Sequence, residues 1–240
     1  MSGSKTRFDS QTFSILPDNV LISHVLGDGS VANRSGGQVD MLILRLFDTD
    51  NQTYLPEDVN TTLWVTWNYY AYDYGHVLQT NDTGHITFDF DPGCSDPQYN
   101  IGPQKWFAEV NTSESCYYPN SSNVLGLTVW GDFNMTIFKP DGSSNYTWGD
   151  LIFMQGQVKD DCENTIDGAT VSFNMTEGTY DYGFSPSNLG GGFYQGDWDS
   201  TNASEGYYNV TMMVNKTYIY PNQTTREYPQ TFIKCIPAIF

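Results

Sequence analysis

Apolar residues recur at every second position along most of this chain, and no long stretch keeps helical spacing. Leu42, Leu44 and Leu46 alternate with Met41, Ile43 and Arg45. Ile86, Phe88 and Phe90 alternate with Thr87 and Asp89, Trp106, Ala108 and Val110 with Phe107 and Glu109, and Leu125, Leu127 and Val129 with Gly126 and Thr128. Because residues i and i+2 of a strand share a face, each run predicts one buried and one outward face. Turn clusters separate the runs at Gly27-Asp28-Gly29-Ser30, Asp91-Pro92-Gly93, Pro119-Asn120-Ser121-Ser122 and Pro140-Asp141-Gly142-Ser143. Many short strands at this spacing predict an all-β chain built of β-sandwiches. Its 240 residues suffice for one large or two ordinary domains, and 15% aromatic content supplies a core.

An internal repeat favours two domains. Thr62-Leu63-Trp64-Val65-Thr66-Trp67 is followed by Tyr72-Asp73-Tyr74-Gly75, and Thr170-Val171-Ser172-Phe173-Asn174-Met175 by Tyr180-Asp181-Tyr182-Gly183, at an offset of 108 residues. The apolar faces Leu63/Val65/Trp67 and Val171/Phe173/Met175 superpose under this shift. Upstream, Leu46-Phe47-Asp48 corresponds to Val158-Lys159-Asp160 if the first copy carries extra loop residues. The predicted division is a leader over residues 1–7, a sandwich over 8–131 and a second over 132–240. Met1-Ser2-Gly3-Ser4-Lys5 reads as an added leader rather than a native export signal, and the chain as a piece of a longer exported protein.

Thirteen of the nineteen asparagines stand in Asn-x-Ser/Thr triplets: Asn33, Asn51, Asn60, Asn81, Asn111, Asn120, Asn134, Asn145, Asn174, Asn202, Asn209, Asn215 and Asn222. Chance placement would give roughly three or four. The excess reads as selection for N-glycan acceptors, which implies export and covalent glycans as partners. The strand triplets at Asn134, Asn174 and Asn209 have apolar middle residues (Met135, Met175, Val210), so glycans would leave from one face while the other packs inward. Triplets in turn-like segments have polar middles, Arg34, Gln52, Asp82 and Gln223. Glycans on outward faces and edges would also block edge-to-edge strand pairing.

The formal net charge is −18 with only ten Lys plus Arg, which disfavours nucleic acid and anionic lipid. No apolar run is long enough to span a bilayer. The four cysteines, Cys94, Cys116, Cys162 and Cys235, show no C-x-x-C spacing, which argues against zinc or redox chemistry; in an exported chain they predict two disulfides. Of the three possible pairings, Cys94–Cys116 and Cys162–Cys235 keep each bridge within one proposed domain.

Gly149-Asp150-Leu151-Ile152-Phe153, Gly156-Gln157-Val158-Lys159-Asp160 and Asp167-Gly168-Ala169-Thr170-Val171-Ser172-Phe173 resemble the opening of Ig-like repeats of the bacterial-Ig-like and carboxypeptidase-regulatory-like families. Gly206-Tyr207-Tyr208-Asn209-Val210-Thr211 is similar to a later strand of such repeats. The Asn/Thr/Tyr-rich, Lys-poor style is similar to archaeal cell-surface and S-layer-associated glycoproteins. The resemblance covers 132–240 well and 8–131 loosely. It lacks the proline often found before Gly-Ala, where Ile166 and Asp167 stand. It implies two tandem Ig-like β-sandwiches in a non-catalytic structural or adhesive module of a secreted or surface-anchored glycoprotein, such as a surface layer, stalk or filament component, capable of self-association or of binding a cell-surface protein or glycan. The alternatives are a carbohydrate-binding accessory domain of a secreted enzyme and a host-binding adhesin.

Little in the chain suggests catalysis. His24, His76 and His85 have no G-x-S-x-G elbow or H-E-x-x-H spacing near them and read as surface or hairpin residues, with His76 and His85 flanking one hairpin. Asp48-Thr49-Asp50-Asn51, Asp89-Phe90-Asp91, Asp160-Asp161 and Asp197-Trp198-Asp199 are short acidic clusters at strand ends. They read as solvated turn acids, with Ca2+ as the one cofactor they could hold. Trp64, Tyr69, Tyr70, Tyr72, Tyr74, Tyr180 and Tyr182 crowd the repeated turn and read as core and turn aromatics. Trp64, facing away from Leu63 and Val65, is the first candidate for a sugar-stacking platform. Gly190-Gly191-Gly192 reads as a flexible turn.

Overall fold

The computed structural model describes residues 12, 14–35, 39–111, 116–178 and 180–219, and the backbone of 228–234. The leader, Asn222, Gln223 and Cys235 lie outside the described residues. The fold is all-β, and the one helical piece among the described residues is a 3-10 turn at Ser200–Asn202.

The first half of the chain gives β1 (Val20–Leu26), β2 (Ser30–Asn33), β3 (Asp40–Asp48), β4 (Thr53–Tyr54), β5 (Asn60–Val65), β6 (His76–Gln79), β7 (His85–Phe90), β8 (Gly102–Val110), β9 (Asn120–Ser121) and β10 (Leu125–Trp130). The second gives β11 (Phe133–Lys139), β12 (Asn145–Thr147), β13 (Leu151–Asp160), β14 (Thr170–Glu177), β15 (Tyr180–Phe184), β16 (Ser187–Gly190), β17 (Phe193–Asp199), β18 (Gly206–Asn215) and β19 (Tyr228–Lys234). In the first half, β3 pairs with β1, β4 and β7, and a second sheet runs β2-β10-β8-β5-β6 with β9 on β8. In the second half, one sheet runs β11-β13-β17-β16 and the other β12-β19-β18-β14-β15.

The halves share a plan. Each opens with a strand antiparallel to the third (β1 on β3, β11 on β13). Each then passes a short strand across to pair in parallel with the last strand (β2 on β10, β12 on β19). The repeat read from sequence lands on equivalent strands, β5 and β14. Leu63, Val65, Val171, Phe173 and Met175 are buried, and Trp67 packs against the first core. The alternating runs behave as predicted: Leu42, Leu44 and Leu46 are fully buried while Met41 is exposed. Buried apolar side chains sort into two clusters, one from Val20 to Val129 and one from Phe133 to Ile219.

Three local readings are corrected. Asn120–Ser121, expected as turn, pairs with the end of β8, because the Asn120 Nδ2 donates to the Val20 carbonyl at 2.6 Å and holds the segment extended. His76 and His85 do not share a hairpin: they open strands of different sheets. The duplicated Tyr-Asp-Tyr-Gly also has two structural fates. In the second copy it lies within β15, paired with β14, and Asp181 is exposed. In the first it is a loop after β5 whose Asp73 side chain is 1% exposed.

Phe173 sits at 0% exposure in the centre of the second cluster. Phe173→Ala should therefore destabilise the protein by about 3–5 kcal/mol in chemical denaturation. A loss below about 1 kcal/mol would place this side chain outside a close-packed core.

Candidate functional site

A set of buried charged groups lies where the two halves meet. β10 ends at Trp130 and β11 begins at Phe133, so only Gly131 and Asp132 join them. Gly131 donates its N–H to the Tyr218 carbonyl at 3.2 Å and bridges in parallel to Ile219. A Cβ on Gly131 would lie 2.6 Å from Ile101 Cδ1 and 2.7 Å from Asp161 Oδ1, so glycine permits this approach. Ile101, from the β7–β8 loop, packs into the second cluster.

Arg34 is the centre of the junction. It follows β2, and its backbone N–H continues the parallel pairing by donating to Trp130 O at 2.8 Å. Its side chain, 1% exposed, reaches into the second half. Nε donates to Asp161 Oδ2 (3.0 Å), Nη2 to Asp161 Oδ1 (2.6 Å) and Asp160 Oδ2 (2.8 Å), and Nη1 to the Tyr99 carbonyl (2.9 Å). The contact to Asp161 is bidentate, the geometry that suits a planar guanidinium. Burial alone would lower the Arg34 pKa, but the hydrogen bonds and charges of Asp161 and Asp160 outweigh it and raise the value, so the group stays cationic. Beside it, the Ser35 hydroxyl bonds to Asp132. The polar middle of the Asn33 triplet, read from sequence as a turn residue, is thus a buried junction cation.

Asp48 and Asp160 close β3 and β13 at equivalent places. Both are buried rather than solvated, which corrects the sequence reading. Asp48 Oδ1 accepts from the N–H groups of Asp50 and Asn51, both at 2.9 Å, and Oδ2 from Asn51 Nδ2 at 2.8 Å. Asp160 Oδ1 accepts from the N–H groups of Cys162 and Asn164, both at 2.9 Å. Both oxygens of each carboxylate thus accept N–H donors, from the local turn and, at Asp160, from Arg34. Burial pushes the Asp48 carboxyl up, yet the bonds from Asn51 and Asp50 prevail and hold it below the ordinary aspartate value.

By fixing the turn after β13, Asp160 presents Cys162 to Cys94 of the β7–β8 loop. These two form a disulfide across the junction, with Cα atoms 5.3 Å apart. The pairing Cys94–Cys116 and Cys162–Cys235 is therefore overturned. The junction brings two loops together that a division into self-contained domains keeps apart. Cys116 is an exposed free thiol. Cys94, Asp161 and Cys162 are the one group of three potential metal ligands close together among the described residues. Two of them are spent in the disulfide and the third on Arg34.

The other candidates have local roles. His24 Nε2 accepts from the Asp28 N–H at 3.1 Å, His76 contacts Asp73 at 3.0 Å and stacks on Phe88, and His85 Nδ1 contacts the Thr83 hydroxyl at 2.9 Å. Trp64 stacks on Phe107 with centroids 5.1 Å apart, so one of its faces is covered. Tyr182 packs on Trp198 and Tyr208. Gly190, Gly191 and Gly192 form the bend from β16 to β17, closed by Asp167 accepting from the Gly192 N–H at 2.8 Å. Of the triplet asparagines, Asn51, Asn81, Asn120, Asn134, Asn145, Asn202 and Asn215 are exposed, and Asn33, Asn60, Asn111, Asn174 and Asn209 are half-buried. Several of their Nδ2 atoms are engaged: Asn51 donates to Asp18 and Asp48, Asn111 to the Thr62 hydroxyl, Asn120 to the Val20 carbonyl, Asn134 to Glu163 and Asn174 to the Met213 sulfur.

No protein-family model and no curated protein matches the sequence. Among solved structures the chain is similar to invasin, a bacterial integrin-binding protein, at 15% identity and TM-score 0.41, over 91% of this chain and 39% of that one. It is similar to the Escherichia coli adhesin FdeC at 12% identity and TM-score 0.42, over 92% of this chain and 66% of that one. Rst D1-D2 gives 12% identity and TM-score 0.44, over 90% of this chain and 99% of that one. At these scores none of the likenesses assigns a function.

Two outcomes follow from the junction and the caps. Arg34→Met strands Asp160 and Asp161 without their cation and should lower stability by about 3–5 kcal/mol in urea, with much of the loss recovered when Asp160→Asn and Asp161→Asn are added. An Arg34→Met protein as stable as the parent would contradict the clasp. Because the Asp48 pKa is lowered in the folded state, its contribution is present above the ordinary aspartate value of about 3.9 and is lost as pH falls through the folded value. Denaturation at stepped pH should show the parent losing stability more steeply than Asp48→Asn below about pH 4; parallel profiles would contradict the assignment.

Proposed function

We propose that this chain is a non-catalytic structural segment of an exported, N-glycosylated surface protein, in which two Ig-like sandwiches over 8–131 and 132–240 act as one stiff spacer. The observation that carries this reading is the double fastening of the junction. A buried Arg34 bridges to Asp160 and Asp161, and Cys94 is bonded to Cys162 beside it. Linked domains without such fastening move relative to one another by default. Here a two-residue connection, a buried ion pair and a covalent bridge all oppose that motion.

The exported setting draws on the disulfide and on the excess of Asn-x-Ser/Thr triplets, none of which has a buried asparagine among the described residues. The position of the bridge supports a mechanical role. Load applied at the chain ends passes from Cys94 through the sulfurs to Cys162 and bypasses the strands between them.

Pulling the oxidised chain by its ends tests this. The bridge closes a separation of 68 residues, so reduction should lengthen the fully extended chain by about 230 Å. Equal extended lengths with and without reductant would remove the load-bypass reading.

A further inference from the structure

The first copy of the Tyr-Asp-Tyr-Gly turn forms one wall of a cleft of about 340 Å³, lined by Trp67, Tyr72, Tyr74, Asp96, Gln98 and Asn100. Both walls are tied down. Asn68 Oδ1 accepts from the N–H groups of Tyr70 (3.1 Å) and Ala71 (2.7 Å), which sets the turn. Asp73, beneath it, accepts from the Val65 and Gly75 N–H groups and, at 2.8 Å, from the Tyr99 hydroxyl. Burial and this bond to Asp73 raise the Tyr99 pKa well above the ordinary phenol value, so its hydroxyl remains a donor. The opposite wall is held by the Asn100 N–H on the Trp67 carbonyl at 2.7 Å, and farther along by the Cys94–Cys162 bridge.

Within this fixed frame several polar groups have no hydrogen bond among the described residues: the Gln98 and Asn100 amides, the Trp67 indole N–H and the Tyr72 hydroxyl. Tyr74 is 81% exposed and is aimed by its hydroxyl bond to Asp96 at 3.2 Å. An apolar ligand would desolvate the amides without pairing them. An anion would meet Asp96 and a chain of net charge −18. A sugar ring offers C–H faces to aromatic side chains and hydroxyls that both donate and accept, matching the mixture present. Trp64, the platform read from sequence, does not line the cleft. In the second copy Tyr182 is packed against Trp198, so the same turn is used differently there.

We propose that this cleft binds a neutral saccharide unit. The inference goes beyond the spacer reading and stands or falls separately from it, because its test reads binding rather than unfolding or length.

The test uses the full chain made without glycans in an oxidising bacterial host. Cellopentaose, mannopentaose and chitopentaose serve as probes, with oligogalacturonate as the acidic comparison, and saturation-transfer NMR with titration as the readout. At least one neutral probe should bind, with Kd raised about tenfold or more in Tyr74→Ala and in Gln98→Ala at unchanged melting temperature, and unaltered in Tyr118→Ala. No binding of any neutral probe at millimolar concentration would overturn the proposal. So would binding unaffected by either cleft variant, or tighter binding of oligogalacturonate. In glycosylated chain, self-association reversed by the bound probe would identify a neighbouring copy's glycan as the source. Monomers that still bind the probe would identify an external saccharide.

Discussion

One buried guanidinium organises the junction of this protein. Arg34 makes four hydrogen bonds, three to carboxylate oxygens of the other half and one to the Tyr99 carbonyl of its own. Removing a cation and two carboxylates from water is expensive, and the attraction between them offsets that loss only when geometry and hydrogen bonding are nearly complete. Such a set therefore tolerates little displacement of one half relative to the other. An apolar junction of equal volume could also hold the halves together, but without the directional bonds that Arg34 supplies.

The covalent bridge depends on the same carboxylate. Asp160 accepts from Arg34 with one oxygen and, with the other, from the Cys162 and Asn164 N–H groups. It couples the orientation of the halves to the position of the sulfur. Its counterpart Asp48 does the same local work, capping the turn after β3, but among the described residues its bonds stay within its own half. Equivalent strand-end aspartates thus act within one half at Asp48 and between the halves at Asp160. The duplicated Tyr-Asp-Tyr-Gly turn followed the opposite course: the first copy buries its aspartate as a hub and exposes its tyrosines around a cleft, and the second spends its residues on strand pairing.

What could be read from sequence divides along physical lines. The strands and their inward faces were legible because burial in a sheet repeats every two residues, as at Leu42, Leu44 and Leu46; the equivalence of β5 and β14 needed the shared Tyr-Asp-Tyr-Gly as well. The halves' common parallel edge, β2 on β10 and β12 on β19, was not, since short strands carry too few residues to show a period. Arg34 was misread because a lone arginine between Asn33 and Ser35 looks like any solvated turn residue, and only its distant partners reveal otherwise. The disulfide was misread because pairing inside a domain is the simplest assumption when no contact is known. Cys94 and Cys162 lie on loops that the two-residue connection folds against each other. The cleft had a partial signal, its crowd of tyrosines, but Trp64 is covered on one face by Phe107, and Trp67, past the end of β5, lines the cleft instead.

The central claim is that the two halves are fastened across their junction, and the most direct measurement is a map of thiol connectivity in the native protein. After free thiols are blocked, digestion without reductant and mass spectrometry should recover a linked peptide pair containing Cys94 and Cys162, with Cys116 carrying the blocking group. Recovery of Cys94 linked to Cys116 instead would return each bridge to its own half and contradict the account.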